Sequence, residues 1–260
     1  MTDHLRIERL GPVLRLTLDR PEAMNAMTRP MLLALESAIA QASQDASVRV
    51  LVLTGSGKAF CAGADLKSFK AGLEVEAGER DFLEVASDAI GAVAACPKPV
   101  IAALNGVTLA GGLELAMAAD ILIAAETARI GDAHANFGMY PGAGGAAVLP
   151  RLLPRGMAMY LLFTGKTLSA QQMQSHGFVA EVHPPELLAD ATLELANLIA
   201  TRSPAGLRRM KGVARASADK RQADALFHEQ VMAREHIRSW DMAEGLQAFA
   251  ERRTPMFRGH

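Results

Sequence analysis

Cysteine is nearly absent from this 260-residue sequence: there are two, Cys61 and Cys96. Two are too few for a disulfide framework, and they lack the spacing of a metal site. They are expected to be buried free thiols in a reducing compartment. An excess of one charge sign is also missing. Lys and Arg number 27 against 28 Asp and Glu, a formal net charge of -1 with a pI of about 6.7. Nothing in that balance calls for nucleic acid or an anionic membrane as partner. Long hydrophobic runs are lacking too, because charge or glycine interrupts each one before the roughly 20 residues of a bilayer span. Met1–Leu10 carries Asp3, Arg6, Glu8 and Arg9, which does not read as a signal peptide. Together these absences point to the cytoplasm.

What remains is an ordinary globular mixture, 50% hydrophobic and 21% charged, enough for one large domain or one domain with an appendage. Leu14, Leu16 and Leu18 alternate with Arg15 and Thr17, the period of a half-buried strand. Thr28 reads as an N-cap with Pro30 in the first turn, and Met31, Leu32, Leu35, Ala38 and Ile39 follow at helical spacing. Val48–Thr54, Val100–Leu104 and Ile121–Ala125 read as buried strands, with an alanine-rich helix near Leu113–Ala119 and a last strand over Val179–Val182. From Pro204 the pattern is helical, with segments near Pro204–Ala216, Arg221–Trp240 and Asp241–Arg253. Strands separated by helices predict an α/β architecture, with no regular short repeat. Residues 201–260 hold twelve Lys/Arg and seven Asp/Glu, a local excess that fits either a solvated helical face or a surface meeting phosphates.

Two stretches imitate nucleotide-binding loops and fail. Gly57-Lys58 is followed by Ala59 where a P-loop needs Ser or Thr, and Gly165-Lys166-Thr167 has Tyr160 in place of the leading glycine. Gly142-Ala143-Gly144-Gly145 lacks the order of a dinucleotide fingerprint. NTPase and nicotinamide chemistry are therefore disfavoured.

Three other segments can carry chemistry. Lys58–Lys67 follows a strand, and its small residues at 62–64 allow close backbone approach to a ligand. Asn105–Glu114 follows another strand and opens a helix at Gly111-Gly112, which exposes N–H donors. Two such loops can aim one N–H each at a developing oxyanion, the usual solution for thioester chemistry. Glu114 sits among Leu113, Leu115, Ala116, Met117 and Ala118, so burial should raise its pKa toward that of a proton shuttle. The third segment is Ile130–Gly145, with Asp132 and His134 two residues apart. On an extended backbone they would share a face, with the imidazole suited to proton transfer near neutral pH.

In this order, LDRPEAMNAM from Leu18, KAFCAGADL from Lys58, NGVTLAGGLELAMAAD from Asn105, GMYPGAGGAAVLPRL from Gly138 and DMAEGLQAFAERR from Asp241 resemble the enoyl-CoA hydratase/isomerase, or crotonase, family over nearly the whole chain. The resemblance implies a crotonase-like α/β spiral of ββα turns over residues 1–200, which holds the CoA site. It also implies a C-terminal helical region, 201–260, that builds a homotrimer or a dimer of trimers. It makes Ala64 and Gly111 the oxyanion-hole donors. Ala62, Ala64, Asp65, Leu66 and Lys67 would lie along the CoA arm with the loop of Ala23, Met24 and Ala26, and Phe249 and Arg252 would reach CoA from a neighbouring subunit. It implies no metal and no cofactor beyond the CoA of an acyl-CoA thioester substrate. Glu114 falls on the first catalytic glutamate of the hydratases. The second belongs four residues before Gly138, where this chain has His134.

That departure shapes the expected activity. Hydration of a 2-enoyl-CoA, or its reverse, would use Glu114 with His134, and with Asp132 as orienting group or acid. Isomerisation or epimerisation would need Glu114 alone. Hydrolysis by a histidine-activated water and a catalytically weak acyl-CoA-binding protein complete the alternatives, and fold alone does not choose among them. Phe69–Asp88 is expected to shape the acyl pocket.

Overall fold

The computed structural model describes residues 4–72, 75–76 and 78–260. The chain opens with an antiparallel hairpin of β1 (Leu5–Leu10) and β2 (Val13–Leu18), turning at Gly11, whose φ of +61° suits glycine. β1 is an addition to the sequence reading. Three similar turns of chain follow. Each lays a longer strand into one sheet and then a three-residue strand into a second: β3 (Val50–Gly55) then β4 (Ala59–Cys61), β5 (Val100–Leu104) then β6 (Val107–Leu109), β7 (Ile121–Ala125) then β8 (Arg129–Gly131). β9 (Thr167–Ser169) and β10 (Glu181–His183) complete a six-stranded sheet in the order β1-β2-β3-β5-β7-β10 and a four-stranded sheet in the order β4-β6-β8-β9. Neighbours β3, β5 and β7 run parallel, as do β4, β6 and β8. Parallel neighbours require a crossover, supplied in each turn by helix. This is the ββα spiral of the crotonase fold.

Several strand and helix boundaries differ from the sequence reading: the strand expected over Val48–Thr54 is Val50–Gly55, and the helix expected near Leu113–Ala119 is Gly111–Met117. The last strand is Glu181–His183 rather than Val179–Val182, because Val179 closes the preceding turn through an N–H donated to the Met173 carbonyl. Trp240 belongs to the final helix, Trp240–Glu251, not to the one before it, Gln222–Ile237. Ser239 separates them, its hydroxyl accepting the Met242 N–H at 3.1 Å as an N-cap.

The core lies between the sheets and the helices Arg29–Gln44 and Phe82–Ala95. Thr28 caps the first, and an Asp81/Glu84 capping box starts the second. Met31, Leu32, Leu35 and Ile39 meet Val85, Ala89, Ile90 and Val93 in the core, each large side chain contributing about 1.5–3 kcal/mol of burial. The opposite face of the large sheet presents Val50, Val52, Ile101 and Ile123 to the helix Leu188–Ala200.

Beyond residue 200 the chain is helical through Pro204–Ser217, Gln222–Ile237 and Trp240–Glu251. Part of the basic excess there is turned inward. Asp120 accepts from Lys211 Nζ at 2.7 Å, Arg215 Nη2 at 2.8 Å and the Val100 N–H at 2.8 Å, and so joins the first of these helices to the core. Arg253 is held by Glu244 at 2.6 Å. No described helix is long and apolar enough to cross a membrane. Replacing Asp120 by Ala should cost roughly 1.5–3 kcal/mol, the scale of charge-assisted bonds lost from a partly buried group. Urea unfolding followed by far-UV dichroism measures it, and a loss below about 0.5 kcal/mol would make the cluster an ordinary surface ion pair.

Candidate active site

The short parallel strands bring three distant segments to one edge. Cys61 pairs with Thr108, and Leu109 with Gly131, so the chain leaving β4, β6 and β8 emerges side by side at residues 62–65, 110–112 and 132–134. The approach is close enough that a Cβ on Gly112 would collide with the Cys61 carbonyl, and one on Gly111 would sit 2.8 Å from Met27 Cε and 3.7 Å from the Ala64 nitrogen. The Ala64 and Gly111 backbones are therefore neighbours, and both residues line one cavity. Ala110, which precedes Gly111, has φ +50° and ψ -122°. For a residue with a Cβ this is a strained conformation, costing on the order of 1–3 kcal/mol.

Glu114 is the fourth residue of the helix Gly111–Met117 and is only 4% exposed. Its Oε1 accepts the N–H groups of Ala143 and Gly145, both at 2.8 Å. These donors come from the glycine-rich stretch after β8, which explains why that stretch must be small: a Cβ on Gly145 would come 2.6 Å from Pro141 Cβ. Burial pushes the Glu114 pKa up, opposed by the two N–H donors. With Oε1 so engaged, Oε2 is the oxygen left for a reacting proton.

Asp132 is 1% exposed and His134 is half-buried. They meet, though not as two residues on an extended strand. His134 begins a 3₁₀ turn, His134–Phe137, and Asp132 folds back on it in an Asx-type arrangement. Its Oδ1 accepts the His134 N–H at 3.1 Å and lies 2.9 Å from His134 Nδ1. The His134 pKa is raised: burial opposes the charge, but the Asp132 hydrogen bond and the charges of Asp132 and Glu114 prevail. Nδ1 is committed to Asp132, so Nε2 is the nitrogen available for chemistry.

Ala64, Gly111, Glu114 and His134 line one cavity of about 380 Å³. Its remaining wall is apolar: Met27, Phe69, Phe82, Leu83, Ala86, Ile90, Met139 and Tyr140. The expectation that Phe69–Asp88 shapes the pocket falls partly on residues 73, 74 and 77, outside the described residues. Its described ends do line the cavity. Met27, Ile90, Met139 and Tyr140 are cavity residues that the sequence does not announce, since single apolar residues carry no local signal of what they face.

The segments expected along the CoA arm are hydrogen-bonded to one another, and Met27 and Ala64 at their junction line the cavity. Ala62 N–H donates to Met24 O at 3.0 Å, Met27 N–H to Gly63 O at 2.8 Å, and Asp65 N–H to Met27 O at 2.9 Å. Ala23, Ala26 and Ala62 are partly exposed, and Met24, Leu66 and Lys67 are exposed. The Asp65 carboxylate is already engaged: it pairs with Arg20 at 2.7 Å and caps the helix Leu66–Ala71 through the Ser68 N–H. Phe249, 86% exposed, and Arg252 lie at the end of the last helix and do not line the Glu114 cavity. Among the described residues no group of three or more His, Cys, Asp or Glu is placed to hold a metal ion.

A spiral ββα fold whose cavity is lined by Ala64, Gly111 and a buried glutamate is that of a crotonase-fold enzyme. The family described as enoyl-CoA hydratase/isomerase matches residues 8–260. The chain is 35% identical over 259 residues to the 2,3-dehydroadipyl-CoA hydratase of Escherichia coli, covering 98% of each. It is also 35% identical over 264 aligned positions to the carnitinyl-CoA dehydratase of Salmonella enteritidis, covering 100% of each. The crystal structure of an enoyl-CoA hydratase from Bacillus anthracis superposes with a TM-score of 0.93 at 37% identity, covering 99% of this chain and 100% of that one. The chain belongs to the enoyl-CoA hydratase/isomerase family, whose enzymes act on acyl-CoA thioesters.

The raised Glu114 pKa has a consequence for stability. Between the ordinary carboxylate value of 4.5 and its own higher one, the folded chain holds a proton that the unfolded chain has lost. The contribution of Glu114 to stability therefore falls as pH rises through that window. Glu114→Gln keeps an Oε1 acceptor for Ala143 and Gly145 and removes the charge. Its Tm should gain on wild type between about pH 4 and about pH 8; a difference that stays constant or shrinks would contradict the raised pKa.

Proposed function

We propose that this enzyme is a hydratase that adds water across the double bond of a 2-enoyl-CoA, or removes it in reverse. The observation that carries the reading is His134, held by Asp132 with Nε2 free, lining the same cavity as Glu114. Hydration needs a base for water and an acid for Cα, and one cavity here holds one of each.

The thioester oxygen would accept the N–H groups of Ala64 and Gly111. Glu114 Oε2 would take a proton from water as its oxygen bonds to Cβ, and the π electrons would move through Cα to the thioester oxygen. Collapse of that enolate would take a proton to Cα from Nε2 of the His134 imidazolium. The abstracted proton would then pass from Glu114 back to His134, which resets both groups for the next turnover. Asp132 is a positioning residue that fixes the ring and favours its charged form. The balance is one water consumed, and the proposal includes neither a metal nor a cofactor. Ala23, Met24, Ala26 and Ala62–Lys67 would border the CoA arm, with Asp65 contributing backbone rather than a free carboxylate. Phe249 and Arg252 would complete the site of a neighbouring copy in a trimer or dimer of trimers. The buried, unpaired thiols of Cys61 and Cys96 support a cytoplasmic setting.

Among the described residues the cavity has no charged lining group besides Glu114 and His134.

The test is purified protein with short and medium 2-enoyl-CoAs in ¹⁸O-labelled water, following loss of the conjugated absorbance and product mass. One labelled oxygen per product is expected. Cα or Cγ deuterium exchange in heavy water without oxygen uptake would make it an isomerase, and release of free CoA a hydrolase. Glu114→Gln should lower kcat by about 10²–10⁴; unchanged activity would remove the mechanism. The rate should fall as pH rises through the raised His134 pKa, and Asp132→Asn should move that limb to lower pH. A limb that stays in place would leave Asp132 without the positioning role.

A further inference from the structure

We infer that Ala110 is a positioning residue that sets the relative placement of the Ala64 and Gly111 N–H groups, using a methyl group in a backbone conformation that normally selects glycine. The inference rests on the proposed reading of those two amides as the donors to the thioester oxygen.

At φ +50° and ψ -122°, Ala110 has the geometry of the first central residue of a type II′ turn, where glycine dominates. Both of its peptide planes are anchored. Its N–H donates to the Gly131 carbonyl at 3.3 Å, and its own carbonyl accepts the Glu114 N–H at 3.1 Å. That carbonyl and the Gly111 N–H belong to one rigid peptide plane and point in opposite directions. Tying the oxygen back to Glu114 therefore directs the Gly111 N–H away from the helix, toward the cavity that Gly111 lines.

The methyl group controls the other donor. A Cβ built on Gly63 would lie 3.1 Å from Ala110 Cβ and 3.5 Å from the Gly111 nitrogen. Ala110 thus packs on the residue whose peptide bond carries the Ala64 N–H. Gly63 is fixed on its far side, where its carbonyl accepts the Met27 N–H at 2.8 Å. The Ala110 side chain stands between the two donor-bearing segments as a spacer. Glycine would be the relaxed choice for this backbone but would supply neither the spacer nor the restriction on rotation of the Gly111 peptide.

The test uses butyryl-CoA carrying ¹³C at the thioester carbonyl, which binds without reacting in hydration, and infrared difference spectra of the bound carbonyl. Wild type should shift the stretch to lower frequency in a narrow band. Ala110→Gly should stay folded, with Tm no lower than wild type by more than a few degrees, because glycine relieves the strained φ. Its carbonyl band should be broader and less shifted. With a 2-enoyl-CoA its kcat should drop about tenfold at nearly unchanged KM, since misplacement of donors weakens transition-state stabilisation more than binding. Ala110→Ser, which retains Cβ, should restore the band. A carbonyl band and kcat within twofold of wild type in Ala110→Gly would overturn the inference and leave Ala110 a packing residue. A wild-type band with no shift on binding would instead remove the two-donor reading, and this inference with it.

Discussion

The parallel backbone pairing of β4 with β6 and of β6 with β8 is the constraint on which the site depends. These strands are three residues long, too short to stabilise anything alone. They hold because each continues from a long, buried strand of the neighbouring sheet and because Gly112 lets a helix start against the Cys61 carbonyl. Three sequence segments separated by tens of residues then leave the sheet at one edge and in one direction. The backbones of Ala64 and Gly111, the Glu114 carboxylate and the His134 ring are brought to one cavity by this pairing, with only the ring held further by a side chain, that of Asp132.

The electrostatics follow from the same arrangement. Glu114 and Asp132 are both buried, and two buried carboxylates that feel one another would ordinarily drive one of them to bind a proton. Here an imidazole lies between their influences. Asp132 fixes its Nδ1, and both carboxylates favour its charged form. Where the hydratases it resembles are expected to have a second glutamate, this chain has a histidine with a carboxylate partner. On the proposed reading that histidine would have to be cationic to act as an acid, which would change the charge states compatible with turnover without emptying the position of an acid.

Much of this was legible in the sequence, and the limits have physical causes. β5 and β7 were readable to the residue, because a run such as Val100–Leu104 is apolar on both faces and bounded by breakers. The glycine pair at 111–112 and the small residues at 62–64 marked where backbone must approach backbone. The small sheet was not legible: three residues carry no period, and Thr167–Ser169 gives no hint that it pairs antiparallel to Arg129–Gly131. The Asp132–His134 contact was expected for the wrong reason, since an Asx-type turn rather than strand alternation brings the two together. Asp65 was expected as a ligand contact, yet its carboxylate belongs to Arg20 and to a helix cap. The apolar cavity wall is assembled from residues distant in sequence, such as Met27, Ile90 and Tyr140, so no local pattern announces it.

The strain at Ala110 bears on how such a site divides its work. Strain is tolerated in a fold when surrounding contacts over-determine the residue, and Ala110 is bound on both peptide planes and against Gly63. On the proposed reading, binding of a thioester would draw on many contacts along CoA and the cavity wall, whereas enolate stabilisation would draw on two N–H vectors. Errors in those vectors would then affect turnover more than affinity. A strained but rigid residue beside the two amides would fit that division: stability given up locally would keep them from adjusting to the ground state, so that they match the charge that develops during reaction.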